Sequence, residues 1–246
     1  MPERTPDFSV IVPAFNEERY LRPTLEALTA SIDDLQQARR STVELIVVDN
    51  ASTDRTAAIA HELGATVWCE ADHSIAKVRN VGAAKASAPV LVFIDADTIV
   101  PRNFMAKVAD VMADARYLAG AMDTEYRPAR RTMRLYLGYW RVVSLLTRMA
   151  QGAAQFCRRE GFLALGGYDE TLFMGEDVDF FWRLERHAAA QGQLTLIVRD
   201  VRVIPSTRRF DRWPLWRVLL MTNPLVILLL RRRRAAWSGW YERAVR

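Results

Sequence analysis

The stretch Leu91–Val100, LVFIDADTIV, decides how the rest of the chain is read. Four apolar residues, Leu91 to Ile94, have the look of a buried strand and run directly into Asp95-Ala96-Asp97. If the backbone stays extended, side-chain alternation puts Asp95 and Asp97 on the same side, where their charges repel. A positive charge is therefore expected between or beside them. The stretch reads either as a strand-to-loop turn, where Asp is common, or as a metal site.

Working outward, the apolar runs FSVIVP (8–13), VELIVVD (43–49), ATVWCE (65–70) and VLVFID (90–95) alternate with helical patterns. Those patterns fall at about 17–38, from about Thr53, and near 75–86. Val- and Ile-rich runs bounded by Asp, Asn or Pro and separated by helices are expected to be buried parallel strands of βαβ units. The fold class is α/β, doubly wound, with ligands gathering at the carboxyl ends of the strands. Three of those ends are polar and acid-bearing: PAFNEE, DNASTD and DADT. Within the second, Ser52 or Thr53 also reads as the N-cap of the helix that follows.

Neither GxGxxG nor GxxxxGK[ST] follows a strand, which argues against a dinucleotide oxidoreductase or a P-loop enzyme. A nucleotide site without such a loop needs another way to neutralise phosphate. A divalent cation held by an Asp pair supplies one, because hard cations bind carboxylate and phosphate oxygens together.

The 246 residues, half of them hydrophobic, suffice for one large domain or a domain with an appendage. Charged residues at 26% argue against disorder. Cys69 and Cys157 lack metal-type spacing and suit a reducing compartment, so a cytoplasmic protein is expected. The first residues, MPERTPDFSVIVP, contain no long apolar segment, and no secretory signal is expected. The net charge of +5 is uneven: from Arg199 onward twelve Arg face three acids, leaving the body mildly acidic. Such a tail suits an anionic partner, nucleic acid or anionic lipid.

VIVPAFNEERYL, VVDNASTDRT, KVRNVGAAKA, FIDADT and GEDVDFFWRL occur in the order and approximate spacing found in family 2 glycosyltransferases, and the chain resembles that family over about residues 7–205. The resemblance implies a GT-A fold: a mostly parallel central sheet flanked by helices. It implies a catalytic domain over 1–205, with a donor-binding half to about 100 and an acceptor half from about 101, and a separate tail from 206 to 246. It implies a nucleotide-sugar donor whose base is held by Pro13, Ala14, Phe15, Glu17 and Asp49, with Arg79 approaching the nucleotide or its phosphates. Asp95 would reach the ribose or a metal-bound water. Asp97 would ligate Mg²⁺ or Mn²⁺ on the diphosphate, and the cation would then be the positive charge the Asp pair needs.

Transfer needs a base for the acceptor hydroxyl. Family position favours Asp177 in that role, with Glu176 positioning the acceptor and inversion at the sugar. Both acids also read as helix N-terminal charge complementing the dipole. QGAAQFCRREGFLALGGYDE (151–170) looks like the acceptor side, where Gly152 and Gly166-Gly167 permit close backbone approach. Many relatives carry a metal-ligating His after the last core strand, whereas this chain has VRVIPSTRRF (201–210). Either diphosphate and water complete the metal shell, or Ser206, Arg208 and Arg209 help hold the phosphates. His61, His73 and His187 read as surface residues.

In the tail, the apolar run Val218–Leu230 contains Asn223-Pro224 and is shorter than the ~20 residues of a membrane span. Trp213, Trp216, Trp237, Trp240, Tyr241 and Arg231 to Arg234 flank it. It reads as a helix in the interface of an anionic membrane, on the inner face of the cell membrane, or as one docked on the catalytic domain or on a second subunit of a homo-oligomer. No nucleic-acid motif accompanies the arginines, so no nucleic acid is expected. The acceptor, a glycan or a lipid-linked molecule, is not specified. Two alternatives stay open: a polyprenyl-phosphate sugar synthase, whose acceptor needs no base, and a nucleotide-sugar binding or scaffold protein without transfer.

Overall fold

The structure, a computed structural model, describes residues 5–241. The chain begins β1 (Phe8–Ala14), α1 (Leu21–Arg39), β2 (Val43–Asp49), α2 (Thr56–Glu62), β3 (Thr66–Cys69), α3 (Ile75–Lys85) and β4 (Val90–Ile94). All four strands are parallel, as the Val/Ile runs imply. Ile11 pairs with Ile46 on one side and Phe93 on the other. Alternation along β1 divides the core. Val10 and Val12 join Leu25 and Leu28 of α1, while Ile11 joins Phe93 and Val78 of α3 on the opposite face.

Then follow β5 (Thr98–Ile99), α4 (Phe104–Ala113), β6 (Tyr117–Thr124), α5 (Arg131–Thr147), β7 (Ala154–Arg158), α6 (Arg159–Ala164), α7 (Glu176–Ala190) and β8 (Leu194–Pro205). The sheet order is β3-β2-β1-β4-β7-β6-β8-β5. β7 runs antiparallel between β4 and β6, β8 is parallel to β6, and the two-residue β5 pairs antiparallel with the end of β8. The sheet is mostly parallel, with helices on both faces, as expected.

The first helix starts at Leu21, later than its periodicity suggests, because residues 15–20 form a loop tied to the end of β2. Asn16 N donates to Ser52 Oγ at 2.8 Å, Thr53 N donates to Asn16 Oδ1 at 2.6 Å, and Glu17 N donates to Thr56 Oγ1 at 2.7 Å. Ser52 and Thr53 thus brace the two strand-end loops and do not cap α2. Asp54 instead accepts from Thr56 N at 3.0 Å.

The tail forms α8 (Arg208–Arg212), α9 (Leu215–Met221), α10 (Pro224–Leu230) and α11 (Arg234–Tyr241). Its inner face is docked on the body. Trp213 and Val218 pack on Met133 of α5, Arg232 donates to Thr171 Oγ1 at 2.7 Å, and Trp237 is buried. The side chains of Trp240 and Tyr241 lie outside the described residues. No helix among the described residues is long and apolar enough to cross a membrane.

Candidate active site

Strand ends and loops from both halves of the chain enclose one cavity of about 320 Å³. Pro13, Ala14, Phe15, Glu17, Arg79, Asp95, Asp97, Glu176 and Asp177 all line it. Asp49 is not among the lining residues, though its neighbour Asn50 is. The Asp49 carboxylate accepts from Ser52 N through Oδ2, while its buried Oδ1 has no hydrogen-bond partner. A buried acceptor left unsatisfied is costly and marks a place for a missing donor.

At the end of β4, each aspartate meets an arginine. Arg79 Nη2 donates to Asp95 Oδ1 at 2.8 Å, and Arg208 Nη2 lies 3.2 Å from Asp97 Oδ2. The β5–β8 pairing, Thr98 with Pro205, delivers Arg208 to this point, and Ser206 N donates to Asp97 O at 3.0 Å. Arg208 also forks onto Glu17, its Nη1 donating to Oε2 at 2.6 Å and its Nη2 to Oε1, and it lies over the Tyr20 ring. Desolvation in the cleft pushes Asp95 up to about 6, against the pull of Arg79 and with the charge of Asp97 adding to it. The same desolvation raises Asp97 against Arg208.

Arg79 is buried, and its two terminal nitrogens serve two carboxylates: Nη2 holds Asp95, and Nη1 donates to Glu176 Oε1 at 2.7 Å. An isolated buried charge costs on the order of several kcal/mol even after relaxation, so this guanidinium is stable only as part of the triad. Burial and the adjacent Asp177 push Glu176 up to about 7, outweighing Arg79.

Glu176 and Asp177 open α7 directly after Gly175, whose φ of 73° is a left-handed turn that favours glycine. Three acids in the first turn complement the helix dipole. Asp177 Oδ2 accepts from Gly152 N at 2.5 Å and Oδ1 from Val178 N at 2.8 Å. A Cβ on Gly152 would lie 2.8 Å from Arg79 Nη2 and from Asp177 Cβ, so only glycine fits between them. Gly167 likewise allows close approach, to Asn80 Oδ1, whereas Gly166 faces open space and is needed only for its positive φ.

Sequence reasoning missed three neighbours. His73, read as a surface residue, is half-buried with its ring 4.4 Å from that of Phe15, and its Nδ1 is buried without a hydrogen-bond partner. Tyr126 and Gln151 line the cavity and are hydrogen-bonded to each other. No motif marks these three, although Gln151 opens the stretch read as the acceptor side.

The donor chemistry fits a hard divalent cation of the kind held by one or two carboxylates plus substrate phosphates. Asp97 and Asp95 offer carboxylate oxygens at the cavity, and among the described residues no group of three His, Cys, Asp or Glu forms a cage.

The sheet and its flanking helices have the GT-A fold of solved glycosyltransferases. Residues 9–166 match the family model "Glycosyl transferase family 2", and the chain belongs to that family. It is similar to 4,4'-diaponeurosporenoate glycosyltransferase of Staphylococcus haemolyticus, 38% identical over 106 residues, covering 39% of this chain and 25% of that protein. An uncharacterized glycosyltransferase of Haemophilus influenzae is 28% identical over 191 residues, covering 72% and 61%. The chain therefore spans less than two thirds of the length of these relatives. Among solved structures, the mannosyltransferase PcManGT from Pyrobaculum calidifontis, in complex with GDP-Man and Mn²⁺, superposes with a TM-score of 0.62 at 23% identity over 82% of this chain and 57% of that one. Glucosyl-3-phosphoglycerate synthase from Mycobacterium tuberculosis, in complex with Mn²⁺ and UDP, gives 0.62 at 21% identity over 94% and 80%.

Proposed function

We propose that this glycosyltransferase moves a sugar from a nucleotide-sugar donor to a hydroxyl of a glycan or lipid-linked acceptor, with inversion and with the help of Mg²⁺ or Mn²⁺. One observation carries the reading: Asp95, Asp97, Glu176 and Asp177 share a single cavity with Arg79 fixed among them. The catalytic unit is residues 1–205 together with Ser206, Arg208 and Arg209, which line the same cavity although they open the 206–246 tail.

The nucleotide base lies against Phe15, beside His73, and donates an N–H to the unpartnered Asp49 Oδ1. Pro13 and Ala14 form the floor of that end. Arg208 and Arg209 supply positive charge beside Asp97 for the diphosphate, and Ser206 anchors their loop. A divalent cation, when bound through Asp97, with Asp95 beside it, neutralises charge on the departing diphosphate.

Asp177 is the base. Its two backbone hydrogen bonds fix the carboxylate, and Oδ2 takes the acceptor proton as the acceptor oxygen bonds to the anomeric carbon and the bond to diphosphate breaks. One displacement, with no protein nucleophile, inverts the sugar. Arg79 acts as a positioning residue, orienting Asp95 toward the donor and Glu176 toward the acceptor.

Thermal-shift titration with UDP and GDP, with and without Mn²⁺, tests the donor half, because a ligand that binds the native state raises its apparent stability. Stabilisation by one diphosphate that is larger with Mn²⁺ is the expected result. No stabilisation by either would reject the reading. An NMR assignment of the product's anomeric configuration tests inversion.

A further inference from the structure

α5, α9 and α10 each carry large apolar side chains that the described residues leave exposed. On α5, Leu135, Tyr139, Val142 and Leu146 fall at spacings of four, three and four, one stripe of a helix, at exposures of 79%, 62%, 55% and 81%. The opposite side of the same helix is buried through Met133 and Leu137. α9, packed on α5 through Met133, Trp213 and Val218, exposes Trp216, and α10 exposes Leu225, Leu228 and Leu229 at 68%, 61% and 76%. Soluble surfaces rarely gather so many large apolar side chains without a partner.

The charge pattern identifies the partner. Residues 131–147 and 212–241 contain no Asp or Glu, and every charged side chain there is an arginine. Arg131, Arg134 and Arg233 are exposed and form no ion pair among the described residues. A second copy meeting this face about a two-fold axis would set arginine against arginine. A bilayer with anionic headgroups offers hydrocarbon for the leucines and phosphate for the arginines.

We propose that this face of α5, α9 and α10 is a membrane seat that docks the protein, without crossing, on an anionic bilayer. The seat adjoins the cleft. Ile227 Cγ2 stands 3.8 Å from where a side chain on Gly175 would begin, and Phe173 N donates to Arg231 O at 2.7 Å. Docking through α10 therefore holds the loop that precedes Glu176 and Asp177 beside the lipid surface. The seat rests on exposed residues outside the cavity and does not depend on the catalytic reading.

Co-sedimentation of the full chain with vesicles tests it, using phosphatidylcholine alone and phosphatidylcholine mixed with phosphatidylglycerol, at low and high salt. Expected is strong pelleting with the anionic vesicles at low salt, weaker pelleting in salt and little with phosphatidylcholine alone. Leu135→Glu with Leu146→Glu, and separately Leu228→Glu with Leu229→Glu, lower the bound fraction at least about tenfold. Arg233→Gln lowers affinity about fivefold, and serves as the measure should a Glu pair fail to fold. Failure of the wild type to pellet with anionic vesicles overturns the proposal, as does equal pelleting by folded variants. Sedimentation velocity that finds a dimer dissolved by the same Glu pairs also overturns it, in favour of a second copy. A protein that docks yet ignores nucleoside diphosphates keeps the seat and loses the transferase reading.

Discussion

Arg208 Nη2 lies 3.2 Å from Asp97 Oδ2 while the same guanidinium forks onto the carboxylate of Glu17. Three charges from three distant parts of the chain thereby meet in the cleft, one cation held against two carboxylates. An Asp pair at a strand end needs a neighbouring positive charge, and the fold supplies one protein cation to each member: Arg79 to Asp95 and Arg208 to Asp97.

Replacing Arg208 should therefore do more than remove a phosphate contact. Arg208→Ala strips the guanidinium from Glu17 and Asp97 and leaves only the charge of Arg209 nearby, and breaking a buried pair costs ~3–5 kcal/mol. Arg208→Lys keeps the charge but not the two-pronged geometry, so an intermediate loss is expected. Denaturant unfolding of the three proteins checks the order, wild type above Lys above Ala. Equal stability of wild type and Ala would mean the carboxylates are neutral or hydrated in the free protein.

Asp97→Ala should leave the protein folded and remove the part of nucleoside diphosphate binding that depends on metal. Calorimetric titration in Mn²⁺ and again in EDTA measures this. Wild type is expected to bind more tightly in Mn²⁺, and the variant equally in both. If wild type itself shows the same affinity in both, Arg208 and Arg209 carry the diphosphate and the cation is dispensable.

Much of this site is written in local sequence. β1, β2 and β4 announce themselves as Val/Ile runs because both faces of a parallel sheet are buried, and the polar, acid-bearing stretches at their ends mark the edge where the cavity lies. The choice of Phe15, Asp49, Asp95 and Asp97 within them rests on the family resemblance. Arg208 as the partner of Asp97 is not legible in this way. It reaches Asp97 through the two-residue strand β5, too short to leave a pattern. His73 beside Phe15 and the antiparallel β7 inserted after β4 are likewise set by packing between distant segments. The α5 stripe escapes a sequence reading for a different reason. A helix apolar on two sides reads as a core helix, and only exposure separates the buried side from the free one.

The raised pKa of Glu176 fixes a pH trend. Its folded value of about 7, against an ordinary 4.5, means the folded protein holds this proton more tightly than the unfolded chain does. The stabilisation is complete below about pH 4.5 and is lost as pH rises through about 7. Asp95, at about 6, adds to the same trend. Carboxyls with lowered pKa, such as Glu44, act below that window. The metal-free protein should thus melt at a higher temperature at pH 5.5 than at pH 8, and Glu176→Gln should flatten the difference. A midpoint that rises from pH 5.5 to pH 8 would show that Arg79 keeps Glu176 ionised throughout.

The sharpest test of the mechanism joins Asp177 to Gly152. Asp177→Asn preserves the shape of the side chain and its contact with the start of α7 but removes the basic oxygen. Transfer should fall by ~10²–10⁴, the range for a lost general base, while donor affinity stays near wild type. Gly152→Ala attacks the same carboxylate from the other side. Its Cβ would fall 2.8 Å from Arg79 Nη2 and 2.9 Å from Asp177 Oδ2, so the backbone amide that holds Asp177 must withdraw. That variant should also lose turnover, mainly in kcat, with Asp177 still present. Steady-state kinetics with the donor and acceptor varied in turn, alongside donor titration, separate the outcomes. Wild-type turnover by Asp177→Asn would reduce Asp177 to a helix-terminal charge and favour an acceptor that needs no base, such as a lipid phosphate. Loss in Gly152→Ala with no loss in Asp177→Asn would instead place the essential geometry on Arg79, the other group that glycine admits.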